Sequence, residues 1–74
     1  MRIRIKLFAT LREGRFEETV EDFATGATVA TVIEWLRIPD REVKIVFVNN
    51  RHADRERLLH EGDTLALFPP IGGG

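Results

Sequence analysis

Polar and apolar positions alternate from the start of the chain. Arg2–Phe8 reads R-I-R-I-K-L-F, which puts Ile3, Ile5 and Leu7 on one side of an extended strand and Arg2, Arg4 and Lys6 on the other. Arg12-Glu13-Gly14 is a turn signal, and Phe16–Phe23, F-E-E-T-V-E-D-F, continues as a second strand in a hairpin with the first. With Val20 inward, Glu17, Thr19 and Glu21 face outward beside the basic residues. Opposite charges facing each other across strands contribute roughly 0.2–1 kcal/mol per pair. The same register leaves Glu18 on the apolar side, a conflict that alternation alone does not resolve.

The period then lengthens. Val29, Val32, Ile33 and Leu36 fall at i, i+3, i+4 and i+7, one apolar stripe of a helix. Thr28 before it is an N-cap residue, its hydroxyl placed to accept an orphan backbone N–H. Pro39 disfavours helical geometry at Ile38 and stops the helix near Arg37. So short a helix does not persist alone in water and is held by packing on a sheet. Trp35 lies off the centre of the stripe and reads as a boundary residue of the core.

Val43–Val48, V-K-I-V-F-V, is the most apolar run and is expected inside the sheet. Asn49-Asn50 supplies a turn, because asparagine tolerates positive φ. Arg51–Ala53 follows as a short edge strand, His60–Asp63 as a tight turn, and Thr64–Phe68 as the last strand with Leu65 and Leu67 inward.

A hairpin, one crossover helix, then a strand parallel to the first describes an α+β chain of the β-grasp type. It is a mixed sheet of four to five strands with one main helix on one face. The expected core is Ile3, Ile5, Leu7, Val20, Val29, Val32, Ile33, Leu36, Ile45, Phe47, Leu65 and Leu67. Alternation then turns Phe8, Val46, Val48, Ala66 and Phe68 outward as a connected apolar patch, the mark of a contact surface.

Composition narrows the function. At 74 residues the chain is one domain, expected as a β-grasp body over residues 1–71 and a glycine tail over 72–74. Eleven basic against twelve acidic residues give a net charge of −1, unlike the basic excess of a nucleic-acid binder. No run approaches the roughly 20 apolar residues of a membrane helix, and the alternating N-terminus does not read as a secretory signal. The lack of cysteine fits a reducing cytoplasm and excludes a thiol nucleophile or thiolate metal site. Serine is absent too, the two histidines have no clustered partners, and no phosphate-loop motif occurs. No metal or bound cofactor is expected, and the chain does not read as an enzyme.

What remains is the end, L-A-L-F-P-P-I-G-G-G. Pro69 and Pro70 fix φ and launch the following residues in an extended path. Pro69 to Gly74 spans at most about 20 Å at roughly 3.3–3.6 Å per residue. Gly72 and Gly73 have no Cβ and thread a channel too narrow for side chains, and Gly74 delivers a carboxylate at its end. That group is ionised at neutral pH and a poor electrophile, so chemistry on it requires activation, for instance as an acyl-adenylate. Ordering the tail costs roughly 1–2 kcal/mol per residue, so a partner needs a second contact to hold it. The outward patch, with Pro69, Pro70 and Ile71, is suited to that. The alternative is a frayed end without function.

These residues resemble a known family. G-D-T-L-A-L-F-P-P-I-G-G-G is similar to the C-terminus of the MoaD/ThiS sulfur carrier proteins, the molybdopterin synthase small subunit in particular. I-K-L-F-A-T-L-R-E and V-K-I-V-F-V-N-N-R-H extend the likeness over nearly the whole chain. The resemblance implies a ubiquitin-like fold and a terminal glycine, here Gly74, adenylated by a ubiquitin-activating-like enzyme that uses ATP. It further implies a sulfur donor protein that converts the adenylate to a thiocarboxylate. The acceptor would be the molybdopterin synthase large subunit or another sulfur-accepting enzyme. Gly73 and Gly74 match the family's diglycine. Gly72 stands where members often carry alanine or another small residue. A ubiquitin-like modifier joined to lysines, or a plain interaction module with an idle tail, are the competing readings.

Overall fold

In the computed structural model, which describes residues 1–70, the alternating N-terminus becomes strand β1 (Arg2–Leu7) at the heart of a mixed sheet. It pairs antiparallel with β2 (Glu18–Asp22) and parallel with the last strand, β5 (Thr64–Phe68). Strand β3 (Ile45–Val48) pairs antiparallel with β5, and the two-residue β4 (Arg51–His52) closes the far edge. The order is β2-β1-β5-β3-β4. The strand that follows the helix therefore runs antiparallel to β1, and the strand parallel to β1 is β5. This corrects the expected connectivity: the crossover joins the parallel pair β2 and β3, with β1 and β5 between them.

Helix α1 (Val29–Trp35) starts as the sequence indicates. Thr28 accepts a hydrogen bond from the Thr31 N–H, and the Thr31 hydroxyl accepts from the Thr28 N–H, a reciprocal cap. The first helical N–H groups are also satisfied: Val29 donates to the Arg57 carbonyl and Ala30 to that of Arg55. At the other end Arg37 sits at φ 59° and Ile38 N–H reaches back to the Ile33 carbonyl, a Schellman closure that buries Ile38 before Pro39.

The core lies between the helix and one face of the sheet. Ile3, Ile5, Leu7, Val29, Val32, Ile33, Leu65 and Leu67 are buried as expected, while Leu36 is only half-buried at its edge. The alternation assigned to β3 is off by one. Val46 and Val48, expected on the outer face, are 3% and 2% exposed and belong to the core. Ile45 and Phe47, expected in the core, are half-buried on the other side. Pairing decides this: Val46 and Val48 stand beside the inward Leu67 and Leu65, and Ile45 and Phe47 beside the outward Phe68 and Ala66.

Strand β2 is corrected in the same way. Val20 stands opposite Arg4 and faces outward, so it leaves the expected core, whereas Thr19 and Glu21 share the side of Ile5 and Ile3. This removes the conflict over Glu18, which faces outward and pairs with Arg4, while Asp22 lies 3.8 Å from Arg2. Core positions outside the periodic segments are Leu11 in a 3-10 turn (Ala9–Arg12), Ile38, Val43 and Leu59. The expected domain limit after residue 71 lies outside the described residues.

Candidate functional site

The outer face of the sheet carries the candidate site. Because Phe8 follows β1, Phe68 ends β5 and Phe47 lies in β3, one face collects three aromatic rings from three neighbouring strands. Phe8 and Phe68 stack with centroids 4.2 Å apart and planes 11° apart. Phe47 meets Phe68 edge-on at 5.6 Å and 89°. The His52 ring lies 4.5 Å beyond Phe47, so the row continues onto β4. Such contacts contribute about 0.5–1.5 kcal/mol each beyond their buried area and hold the rings in place.

Two depressions open on this row. One, of about 250 Å³, is lined by Lys6, Phe8, Phe47, Asn50, Thr64, Ala66 and Phe68. The other, of about 410 Å³, is bounded by Phe8, Ala9, Thr10, Ile45, Phe68, Pro69 and Pro70, and its walls are almost entirely apolar. It surrounds the place where the chain leaves β5. Arg12 braces it from the side: its Nε donates to the Leu7 carbonyl at 2.7 Å, and its guanidinium lies 5.4 Å from the centre of the Phe8 ring.

Of the residues singled out from sequence, Phe8, Ala66, Phe68, Pro69 and Pro70 come together here, and Val46 and Val48 do not. Sequence reasoning missed Ile45, Phe47, Ala9 and Thr10. The pairing parity of β3 against β5 was the signal that places the first two; the positive φ of Ala9, 50°, turns the chain beside the groove and has no counterpart in the alternation. Ile71, Gly72, Gly73 and Gly74 lie outside the described residues.

At the other end of β5 the chemistry is structural. Asp63 is buried in the His60–Asp63 turn, accepting from Asn49 Nδ2 at 2.9 Å and from the His60 N–H at 2.8 Å. Asn49 Oδ1 in turn accepts from the Thr64 N–H, so the turn between β3 and β4 is tied to the start of β5. Burial pushes the Asp63 carboxyl up. The hydrogen bonds from Asn49 and His60 and the charges of Arg57 and His60 outweigh that and hold it below its ordinary value.

Neither histidine belongs to a ligand cluster: among the described residues no three His, Asp or Glu side chains are grouped to hold a metal ion. No helix there is long and apolar enough to cross a membrane. Trp35 is half-exposed and meets Phe23 edge-on at 5.3 Å, at the boundary of the core.

Comparison with known proteins agrees with this topology. Residues 5–74 match the model of the ThiS family. Among solved structures, SAMP1 from Haloferax volcanii is 29% identical over the full length of both chains, with a TM-score of 0.80. The HVO 2177 protein from Haloferax volcanii is 31% identical, covering 100% of this chain and 87% of that one, with a TM-score of 0.79. A Pyrococcus furiosus protein described as molybdopterin converting factor subunit 1 is 25% identical over 96% of this chain and 99% of its own, with a TM-score of 0.78. No curated protein matches at a significant level. The chain belongs to the MoaD/ThiS family and has its ubiquitin-like β-grasp fold.

Proposed function

We propose that this protein is a sulfur carrier whose working atom is the carbonyl carbon of Gly74. The observation that carries this reading is the family match over residues 5–74, which takes in both the apolar groove around Phe68–Pro70 and the Gly73-Gly74 pair. In the proposed cycle the Gly74 carboxylate attacks the α-phosphorus of ATP on an activating enzyme and pyrophosphate leaves. A donor protein then delivers sulfur at the sulfide level, which attacks the acyl carbon; the bond from that carbon to the phosphate oxygen breaks, AMP leaves with the electron pair, and the thiocarboxylate remains. That sulfur passes to an acceptor enzyme, for which the likeness to a molybdopterin converting factor subunit favours the large subunit of a molybdopterin synthase. The chain itself acts as carrier and co-substrate rather than as catalyst.

The outer face supplies the docking contact in this scheme. Phe8, Ala66, Phe68, Pro69, Pro70 and Ile71 form it together with Ile45 and Phe47, while Gly72 and Gly73 thread the partner's channel. Incubating the protein with its activating enzyme, ATP and a sulfur donor should raise its intact mass by the difference between sulfur and oxygen. Adenylation without that gain overturns the sulfur-carrier reading.

A second reading has one specific support, the likeness to SAMP1, a small archaeal modifier protein. It shares the adenylate and differs in the acceptor, a lysine of another protein instead of sulfur. Conjugates that survive reductant and denaturant in extracts of the source cells favour it.

A further inference from the structure

The smaller depression on the aromatic row has a chemistry that a purely apolar partner does not match. Of the three cations that β1 turns outward, Arg2 and Arg4 are exposed and Lys6 is half-buried. Arg2 faces Asp22, and Arg4 holds the Glu18 carboxylate. Lys6 stands opposite Glu18 in the ladder, but that carboxylate is taken by Arg4. Among the described residues the Lys6 side chain makes no hydrogen bond or ion pair, and it lines the depression instead. Asn50 and Thr64 line it too, and their side chains also make no hydrogen bond among those residues. The other walls are the three phenylalanine rings and the small Ala66; no carboxylate is there. In the free chain these polar groups reach water, since among the described residues no buried side-chain nitrogen or oxygen lacks a partner. Docking on the aromatic row removes that water, and an ammonium stripped of water without a counter-charge is strongly unfavourable.

We propose that Lys6 is the ionic anchor of the docking face, and that the activating enzyme places the carboxylate of an aspartate or glutamate in the depression beside it. A carboxylate offers about four lone-pair sites, and the depression answers them with an ammonium, an amide and a hydroxyl. The rings cover the methylene part of the incoming side chain. At about 250 Å³ the space is smaller than the roughly 300–1,000 Å³ of a small-molecule site, so it takes one side chain rather than a nucleotide. An apolar residue in its place leaves the ammonium unpaired, and a basic one is repelled. The anchor therefore selects against partners that lack an acid at this point.

The proposal rests on the docking role given to the outer face, and its test reads the two apart. Pyrophosphate release is measured against the concentration of the full chain, with its activating enzyme and ATP and without a sulfur donor. Lys6→Met and Lys6→Gln should keep native circular dichroism and raise KM about 10–100-fold with kcat unchanged, the worth of one charge-assisted hydrogen bond. Lys6→Arg should keep KM low, and Lys6→Glu should raise it beyond the neutral variants. Lys44→Met removes the same charge outside the depression and should leave KM where it was. If KM stays the same or falls in Lys6→Met and Lys6→Gln while Phe47→Asp loses binding, the anchor alone is overturned. An equal rise in Lys44→Met also overturns it, because the effect is then one of net charge. If Phe47→Asp binds as the unaltered chain does, the outer face is not the docking surface and both fall.

Discussion

One buried carboxylate ties the turn after β3 to the start of β5. Asp63 accepts two hydrogen bonds in a site where water does not replace them, one from the Asn49 amide and one from the His60 N–H. Asp63→Asn is nearly isosteric but turns an NH2 group toward one of those donors. It should therefore cost about 1–3 kcal/mol, the penalty of leaving buried polar groups unpaired. The pH dependence follows from the direction of the shift. The folded-state value lies below the ordinary 3.8, so the stabilisation is fully present above 3.8 and is lost as pH falls through the folded-state value. Thermal midpoints of the two proteins should differ by a constant gap at neutral pH, and the gap should narrow once the pH drops below 3.8. A gap that stays constant into strong acid would show that Asp63 is not held in its charged form by the fold.

At the scale of the element, β3 separates what alternation reveals from what it hides. Strand β1 has polar residues at every second place, so its two faces were legible. The helix cap at Thr28 and the turn at Asn49-Asn50, whose φ values are 52° and 68°, were legible for equally local reasons. Strand β3 is apolar at both parities, because one side meets the helix and the other meets the aromatic row. Its polar neighbours, Lys44 before it and Asn49 in the turn after it, lie outside the strand and do not mark its outer face. Only pairing with β5 fixes which side is which, and pairing is a long-range fact. Strand β2 misled for the opposite reason: as an edge strand it buries little, so Val20 carries no weight in the packing.

The corrected β3 makes opposite predictions for adjacent residues. Val46→Asp places an unpaired charge in the core, a cost of several kcal/mol that a domain this small does not absorb, and the variant should not fold. Phe47→Asp changes a half-exposed ring, so circular dichroism should remain native while binding to the activating enzyme is lost. The reverse pattern would put Phe47 in the core and Val46 on the docking face.

For the whole molecule the proposed cycle divides the labour between a body that docks and a tail that reacts. Among the described residues every member of the buried core lies between Ile3 and Leu67. Removing residues 71–74 should leave the thermal midpoint unchanged. The same variant keeps the aromatic row and the groove bounded by Pro69 and Pro70. Three of the four deleted residues have no side chain to touch a partner, yet ordering each tail residue costs roughly 1–2 kcal/mol. Affinity for the activating enzyme should therefore change little, although no carboxylate reaches its active site. The shortened chain should act as a competitive inhibitor of adenylation of the intact protein, measured as pyrophosphate release against increasing inhibitor. Phe47→Asp introduced into the shortened chain should abolish that inhibition. A shortened chain that fails to compete would place the binding energy in the tail and leave the aromatic face without its proposed role.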